Sequence, residues 1–157
     1  MEKVLDTCAG LDVHKKFVTA CCLRTDGAGH TRKEHRTFTT MTSDLEALGD
    51  WLAAAQCTQM AIESTGVFWQ PIYNLLEERF QVWLVNPQHI KHVPGRKTDV
   101  QDAEWLAQLL QHGLLRARFI PSREQRELRE LLRHRQSLVQ ERNRIHAAVQ
   151  PPDQSWR

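Results

Sequence analysis

The first 86 residues hold three kinds of text: near-continuous apolar runs, one alternating stretch, and two stretches with helical spacing. Residues 4–13, VLDTCAGLDV, are mostly apolar and predict a central strand, because a strand buried on both faces shows no alternation. FVTACCLRT (17–25) predicts a second strand. Asp26-Gly27-Ala28-Gly29 is a turn signal, and KEHRTFTT (33–40) then alternates like a third, antiparallel strand. Ser43 with Glu46 forms a capping box before DLEALGDWLAAA, whose Leu45, Leu48 and Leu52 share one helical face. QMAIES (59–64) and VWLVN (82–86) predict two further buried strands. Between them, WQPIYNLLEE (69–78) predicts a helix with Ile72, Leu75 and Leu76 inward. A loop over 87–98 leads into a helix over 99–112. LLRARFIP (114–121) reads as a short extended link, and residues 122–149 as one long helix. Pro151 and Pro152 cannot continue it, which leaves 150–157 as a disordered tail.

Three strands in a meander, followed by helix, strand, helix, strand and helix, imply a mixed sheet. The first three strands can pair antiparallel, whereas the last two need helical crossovers and so run parallel. The fold class is therefore α/β: a ribonuclease-H-like mixed five-stranded sheet flanked by helices, followed by a long C-terminal helix. The expected division is a domain over 1–121, a helix over 122–149 and the tail. In that helix Leu128, Leu131, Leu138, Ile145 and Val149 fit a heptad seam, interrupted by Arg135 and Arg142. This pattern suits the start of an imperfect coiled coil and a homodimer or higher oligomer. A helix packed on its own domain is the alternative.

Composition narrows the class. A hydrophobic share of 41% and a charged share of 25% are ordinary for a water-soluble globular chain. No apolar run approaches bilayer length, and MEKVLDTCAG lacks the apolar core of a secretory signal. A cytoplasmic protein without a membrane partner is expected. Cys8, Cys21, Cys22 and Cys57 make no CxxC pair and read as buried thiols in a reducing compartment rather than a zinc site. The net charge of +2 is unevenly spread: residues 1–115 carry −3 and residues 116–157 carry +5, the latter from arginine alone. Arginine forks match phosphate oxygens, but a solvated helix of alternating Arg and Glu fits the same text.

Four acids stand out. Asp12 lies in GLDVHK, inside an apolar strand, where an unpaired carboxylate is costly. It either bonds a turn or faces a cation. Glu63 ends the next buried strand, in AIESTGVFW, and either caps the following helix or faces Asp12 across strands about 4.8 Å apart. Asp99 and Asp102 share a helical face at i, i+3. Thr98 with Gln101 already supplies a capping box there, so two further acids exceed what capping requires. Four crowded carboxylates would be forced toward protonation without a cation. Two Mg²⁺ (or Mn²⁺) ions would neutralise them, and metals about 4 Å apart suit phosphodiester chemistry.

The stretches GLDVHK, IESTG and NPQHIKHVPGRKTDVQDAEWLAQLL together resemble the DEDD transposases of the insertion-sequence group guided by a bridge RNA, to which the Piv DNA invertases are related. The resemblance covers most of residues 8–148. It implies a RuvC-like domain, then a coiled coil, then a second domain with a catalytic serine. It also implies that the metal tetrad is Asp12, Glu63, Asp99 and Asp102, with DNA and a structured guide RNA as partners. The chain ends inside the expected coiled coil, so the resemblance implies recombination that is incomplete without the serine domain.

Further candidates surround the tetrad. His14 and Lys15 follow Asp12, and Lys91, His92, Arg96 and Lys97 lie in the basic loop around Gly95. Each can contact nucleic acid or be an ordinary loop residue. Arg126, Arg129, Arg133 and Arg144 lie off the helical seam, open to phosphate. Two other functions share this sequence pattern: a module that grips guide RNA and DNA without cutting, and an actin-like ATPase, for which no second aspartate-glycine phosphate loop follows residue 86.

Overall fold

The computed structural model describes residues 3–63, 66–86 and 99–149, the side chains of 99–101 excepted. The expected order of elements is present. Strands β1 (Thr7–Val13), β2 (Phe17–Thr25) and β3 (Thr31–Thr39) precede helix α1 (Thr42–Ala54). Then come β4 (Gln59–Glu63), α2 (Trp69–Leu76), β5 (Gln81–Val85), α3 (Asp99–Gln111) and α4 (Arg123–Val149). The sheet order is β3-β2-β1-β4-β5, with β1 and β2 antiparallel, β2 and β3 antiparallel, and β4 parallel to both β1 and β5. The chain divides into two compact units, Met1–Phe119 and Ile120–Arg157.

Central β1 is buried along almost its whole length, as its apolar text requires, while edge strand β3 is mostly exposed. Its alternating polar residues suit an edge open to water. The β2–β3 hairpin is fixed by Asp26, whose Oδ1 accepts from the N–H groups of Ala28 (3.0 Å) and His30 (2.9 Å). The expected extended link after α3 joins the other edge: Ala117 bridges Val85 antiparallel, and Arg118 N–H donates to the Leu84 carbonyl at 2.7 Å.

Each sheet face has its own core. Cys8, Cys21, Leu23, Ala61 and Val85 pack with Ala103, Leu106, Ala107 and Leu110 of α3. Adjacent residues of a strand point to opposite faces, so Cys22 and Glu34, which pair across β2 and β3, belong to the other face. There Trp51 of α1 donates to Glu34 Oε1 at 3.1 Å, and α1 and α2 bury Leu45, Leu48, Leu52, Ile72 and Leu76. Leu75, expected inward, is only half-buried.

The expected Ser43–Glu46 capping box does not form. Met41 occupies the cap position of α1 without a side-chain bond. Asp44, in the first turn, instead accepts from Thr39 Oγ1 (2.5 Å) and Thr39 N–H (3.3 Å), tying the helix start to the end of β3. At the far end of α3, Gly113 takes φ +67°, Gly113 N–H bonds to Leu110 O and Leu114 N–H bonds to Leu109 O, which terminates the helix with satisfied carbonyls.

Candidate active site

The geometry that matters begins at Gly10. A Cβ there would lie 2.1 Å from the Ala103 carbonyl oxygen and 2.6 Å from the Ala107 nitrogen, so only glycine lets α3 settle directly on β1. Cys8, two residues earlier on the same strand face, donates its Sγ hydrogen to the Ala107 carbonyl at 3.3 Å. Asp12, two residues later, therefore emerges on the face that α3 covers. It is 9% exposed.

Strand β4 adds the second acid by the same parity. Gly10 pairs with Ala61 and Leu11 with Ile62, so one further step sets Asp12 level with Glu63 at the carboxyl ends of two parallel strands. Ala61 packs in the α3 cluster, and Glu63 shares its face. Asp102 precedes Ala103, the residue whose carbonyl lies over Gly10. The electrostatics of Asp12 register this convergence: its carboxyl is held above the ordinary value of 3.8, first by burial, with the charges of Glu63 and Asp102 pushing the same way. His14 opposes them, by its charge and by its hydrogen bond.

His14 Nε2 donates to Asp12 Oδ2 at 2.9 Å. The ring packs against Phe17, with centroids 4.4 Å apart, and the backbone N–H of His14 donates to the Phe17 carbonyl at 2.9 Å. His14 was expected near substrate; its observed partner is Asp12. Asp99 opens α3, three residues before Asp102, and its side chain lies outside the described residues. Among the described residues, no three His, Cys, Asp or Glu side chains stand close enough to cage a metal ion.

The other predicted contacts are scattered. Lys15 is exposed in the β1–β2 turn, where its carbonyl accepts from Thr40 Oγ1 at 3.1 Å. Lys91, His92, Arg96 and Lys97 lie outside the described residues. Arg129, Arg133 and Arg144 are exposed along α4, whereas Arg126 is half-buried and donates from Nη1 to the Pro121 carbonyl at 2.8 Å. The four cysteines are buried free thiols, and burial pushes Cys8 and Cys21 up to about 12. Two interactions were not foreseen in the sequence: Glu104 of α3 pairs with Lys33 and, at 3.4 Å, with His35 of β3. Both are cross-sheet contacts with no local spacing signal.

A mixed five-stranded sheet with acids at the carboxyl ends of its central parallel strands, and a further acid on the covering helix, has the RuvC-like form of the ribonuclease H class. The structure is similar to that of RuvC from Thermus thermophilus, at 12% identity and a TM-score of 0.51, covering 71% of this chain and 99% of that one. It is also similar to T. thermophilus RuvC in complex with a Holliday junction substrate (12% identity, TM-score 0.48, 71% and 99% covered). A further likeness is to the Fowlpox virus resolvase complexed with Holliday junction DNA (12% identity, TM-score 0.41, 58% and 64% covered). No curated protein sequence matches. Residues 9–150 match the IS110 DEDD transposase family, and the chain belongs to that family.

Proposed function

We propose that this chain is the metal-dependent catalytic half of a DNA transposase, acting on phosphodiester bonds in DNA recombination. One observation carries the reading: the register of β1 and β4 sets Asp12 level with Glu63 at the carboxyl ends of two parallel strands, on the face covered by the helix that carries Asp102. A fold gains nothing in stability from collecting like charges at a buried point. Such a donor set, hard oxygens with excess negative charge, fits Mg²⁺ or Mn²⁺. Asp12, Glu63 and Asp102 would hold the cation pair, with Asp99 as the fourth ligand. When bound, two such ions stabilise the attacking and leaving oxygens of a phosphodiester displacement.

The chain's own residues define the rest. Asp12 and Glu63 are fixed on neighbouring strands, and Gly10 seats the helix that carries Asp102. His14 orients Asp12 from one side. Lys15, Lys91, His92, Arg96 and Lys97 would grip the phosphate backbone, as would Arg126, Arg129, Arg133 and Arg144. The bridge-RNA and Piv-type resemblance extends this reading to a structured guide RNA, to a second, serine-bearing domain needed for complete recombination, and to self-association through α4.

A second reading, a module that binds guide RNA and DNA without cutting, is favoured by the engagement of Asp12 with His14 and by the absence of a ready three-ligand cage among the described residues. Calorimetric titration with Mn²⁺ and Mg²⁺ separates the two. The catalytic reading expects saturable uptake by the wild-type chain, strongly weakened in Asp12→Asn. Nucleic-acid binding with no saturable metal uptake would establish the second reading instead.

A further inference from the structure

We propose that Arg24 and Arg32 form a phosphate clamp for duplex DNA, on the opposite sheet face from the carboxylates and at the other end of the strands. In the antiparallel β2–β3 pair the two residues are direct cross-strand partners, so their side chains leave the same face side by side. Both are exposed. Like charges placed directly opposite one another repel and weaken a sheet. Among the described residues no carboxylate forms an ion pair with either.

The nearby acids are engaged elsewhere. Glu34, on the same face two residues along β3, accepts from Arg36 Nη2 (2.8 Å), Arg36 Nε (3.1 Å) and Trp51 Nε1 (3.1 Å). Asp26 accepts from the backbone of its own turn and also pairs with His30 at 3.7 Å. The same end of the sheet also carries Lys3, which binds the Gly29 carbonyl (3.1 Å) and Thr31 Oγ1 (2.7 Å), and His30. Glu34 therefore acts on Arg24 only at a distance, and neither arginine has a carboxylate bonded to it among the described residues.

Two planar guanidiniums side by side present paired forks of donors, the geometry that matches phosphate oxygens. A phosphate between them would remove their repulsion. Arg24 stands five rungs from Thr19, the partner of Asp12, which is about 17 Å along the strand. The clamp is thus a second hold on the backbone, one that positions DNA without reading bases. The choice of DNA rests on the transposase reading above.

The test uses the full chain and a labelled DNA duplex of arbitrary sequence, with binding measured across a salt series. Arg24→Gln/Arg32→Gln is compared with the wild type and with Arg24→Lys/Arg32→Lys. The Gln pair is expected to lower the log–log salt slope by about 0.9, the loss of one phosphate contact. It should also raise the melting temperature of the free protein, because a repulsion is gone. The Lys pair should keep most of the slope. An unchanged slope in the Gln pair overturns the clamp. So does a fall in melting temperature, which would assign the arginines to the end of α1, whose last turn holds no basic residue of its own. A slope change confined to a structured RNA probe, with duplex DNA unaffected, overturns the assignment to DNA. Failure of the wild-type chain to bind duplex DNA at all would instead sink the transposase reading on which the clamp rests.

Discussion

Helices α3 and α4 differ in where their apolar residues go. In α3, Ala103, Leu106, Ala107, Leu109 and Leu110 are all buried, and the helix lies against β1, β2 and β4. In the 27 residues of α4 no residue is buried, and Leu128, Leu131, Leu138, Ile145 and Val149 are each more than half exposed. Packing on the sheet stabilises α3 and fixes its register to within an atom's width at Gly10. What supports α4 inside its own chain is local: a pair such as Arg123–Glu127 (3.2 Å, i,i+4), worth about 0.3–0.5 kcal/mol. A helix that carries proposed metal ligands must be positioned by the fold, and α3 is. The apolar stripe of α4 is exposed where that of α3 is buried, so the two should respond to substitution in opposite ways.

The largest effect should come from Gly10→Val. The new Cβ would meet the backbone of α3 rather than a movable side-chain tip, so the helix itself must shift. The expected loss is at the upper end for a single substitution, about 4–5 kcal/mol. Denaturant unfolding measures it, and near-normal stability would show that α3 can slide without consequence. Next comes Leu106→Ala. Leu106 is 1% exposed in the core between α3 and the sheet, and its truncation should cost about 3 kcal/mol. A loss below about 1 kcal/mol would mean that the α3 interface is far looser than it is drawn.

Much of this contrast was legible in the sequence, for physical reasons that can be named. The β1 and β4 texts are mostly apolar, so each strand had to be central, and the helices between strands forced β4 and β5 to run parallel. Asp12 and Glu63 announced themselves as charges inside apolar runs. The role of Gly10 was not legible. In VLDTCAGLDV it reads as one more small residue, and only the arrival of α3 from ninety residues away gives its missing Cβ a meaning. The partner of His14 was hidden for a similar reason, since a turn residue's side chain can point to solvent or back to the strand. The capping box at Ser43 failed because Asp44 had a better use, bonding to Thr39 at the end of the preceding strand. Gln111 is a further case: its Nε2 donates to the Leu5 carbonyl (3.3 Å) and Thr25 Oγ1 (3.0 Å), tying α3 to two distant segments that no local pattern connects.

A smaller effect, of opposite sign, is expected from Asp12→Asn. Burial and the neighbouring acids raise the folded-state pKa of Asp12 above 3.8, so the folded chain favours its neutral form. As pH rises from about 3.8 through the raised folded value, the folded state holds a proton that the unfolded chain releases. Stability therefore declines across that window and stays lower above it. Asparagine is neutral throughout and should remove this part of the decline. Thermal melts from acid to neutral pH without divalent cations should show Asp12→Asn level with the wild type or more stable near pH 7. With Mg²⁺ present the order should reverse. A clear loss of stability in the metal-free variant at neutral pH would mean that Asp12 serves the fold, through His14 alone.

The smallest effect on the stability of the sheet unit, and the sharpest contrast with Leu106, should come from α4. Leu131→Ala, an equal loss of side chain, should leave sheet unfolding within about 0.5 kcal/mol of the wild type, because the residue it shortens is 66% exposed. Its consequence should appear in association instead. Leu128, Leu131, Leu138, Ile145 and Val149 lie on a heptad seam in which Arg135 and Arg142 take the intervening places. Burying a guanidinium without a partner is costly, so any dimer through this seam should be weak. Arg142→Leu removes one such charge and lengthens the apolar run from Leu138 to Ile145 and Val149. Sedimentation across a concentration series should then show tighter association for Arg142→Leu and looser association for Leu131→Ala, with sheet unfolding unchanged in both. Arg129, Arg133 and Arg144 lie off the seam and stay available for phosphate, so the salt dependence of DNA binding should survive both substitutions. If Arg142→Leu leaves the association state unaltered at every concentration, the stripe on α4 is not a seam between copies, and its leucines await a different surface.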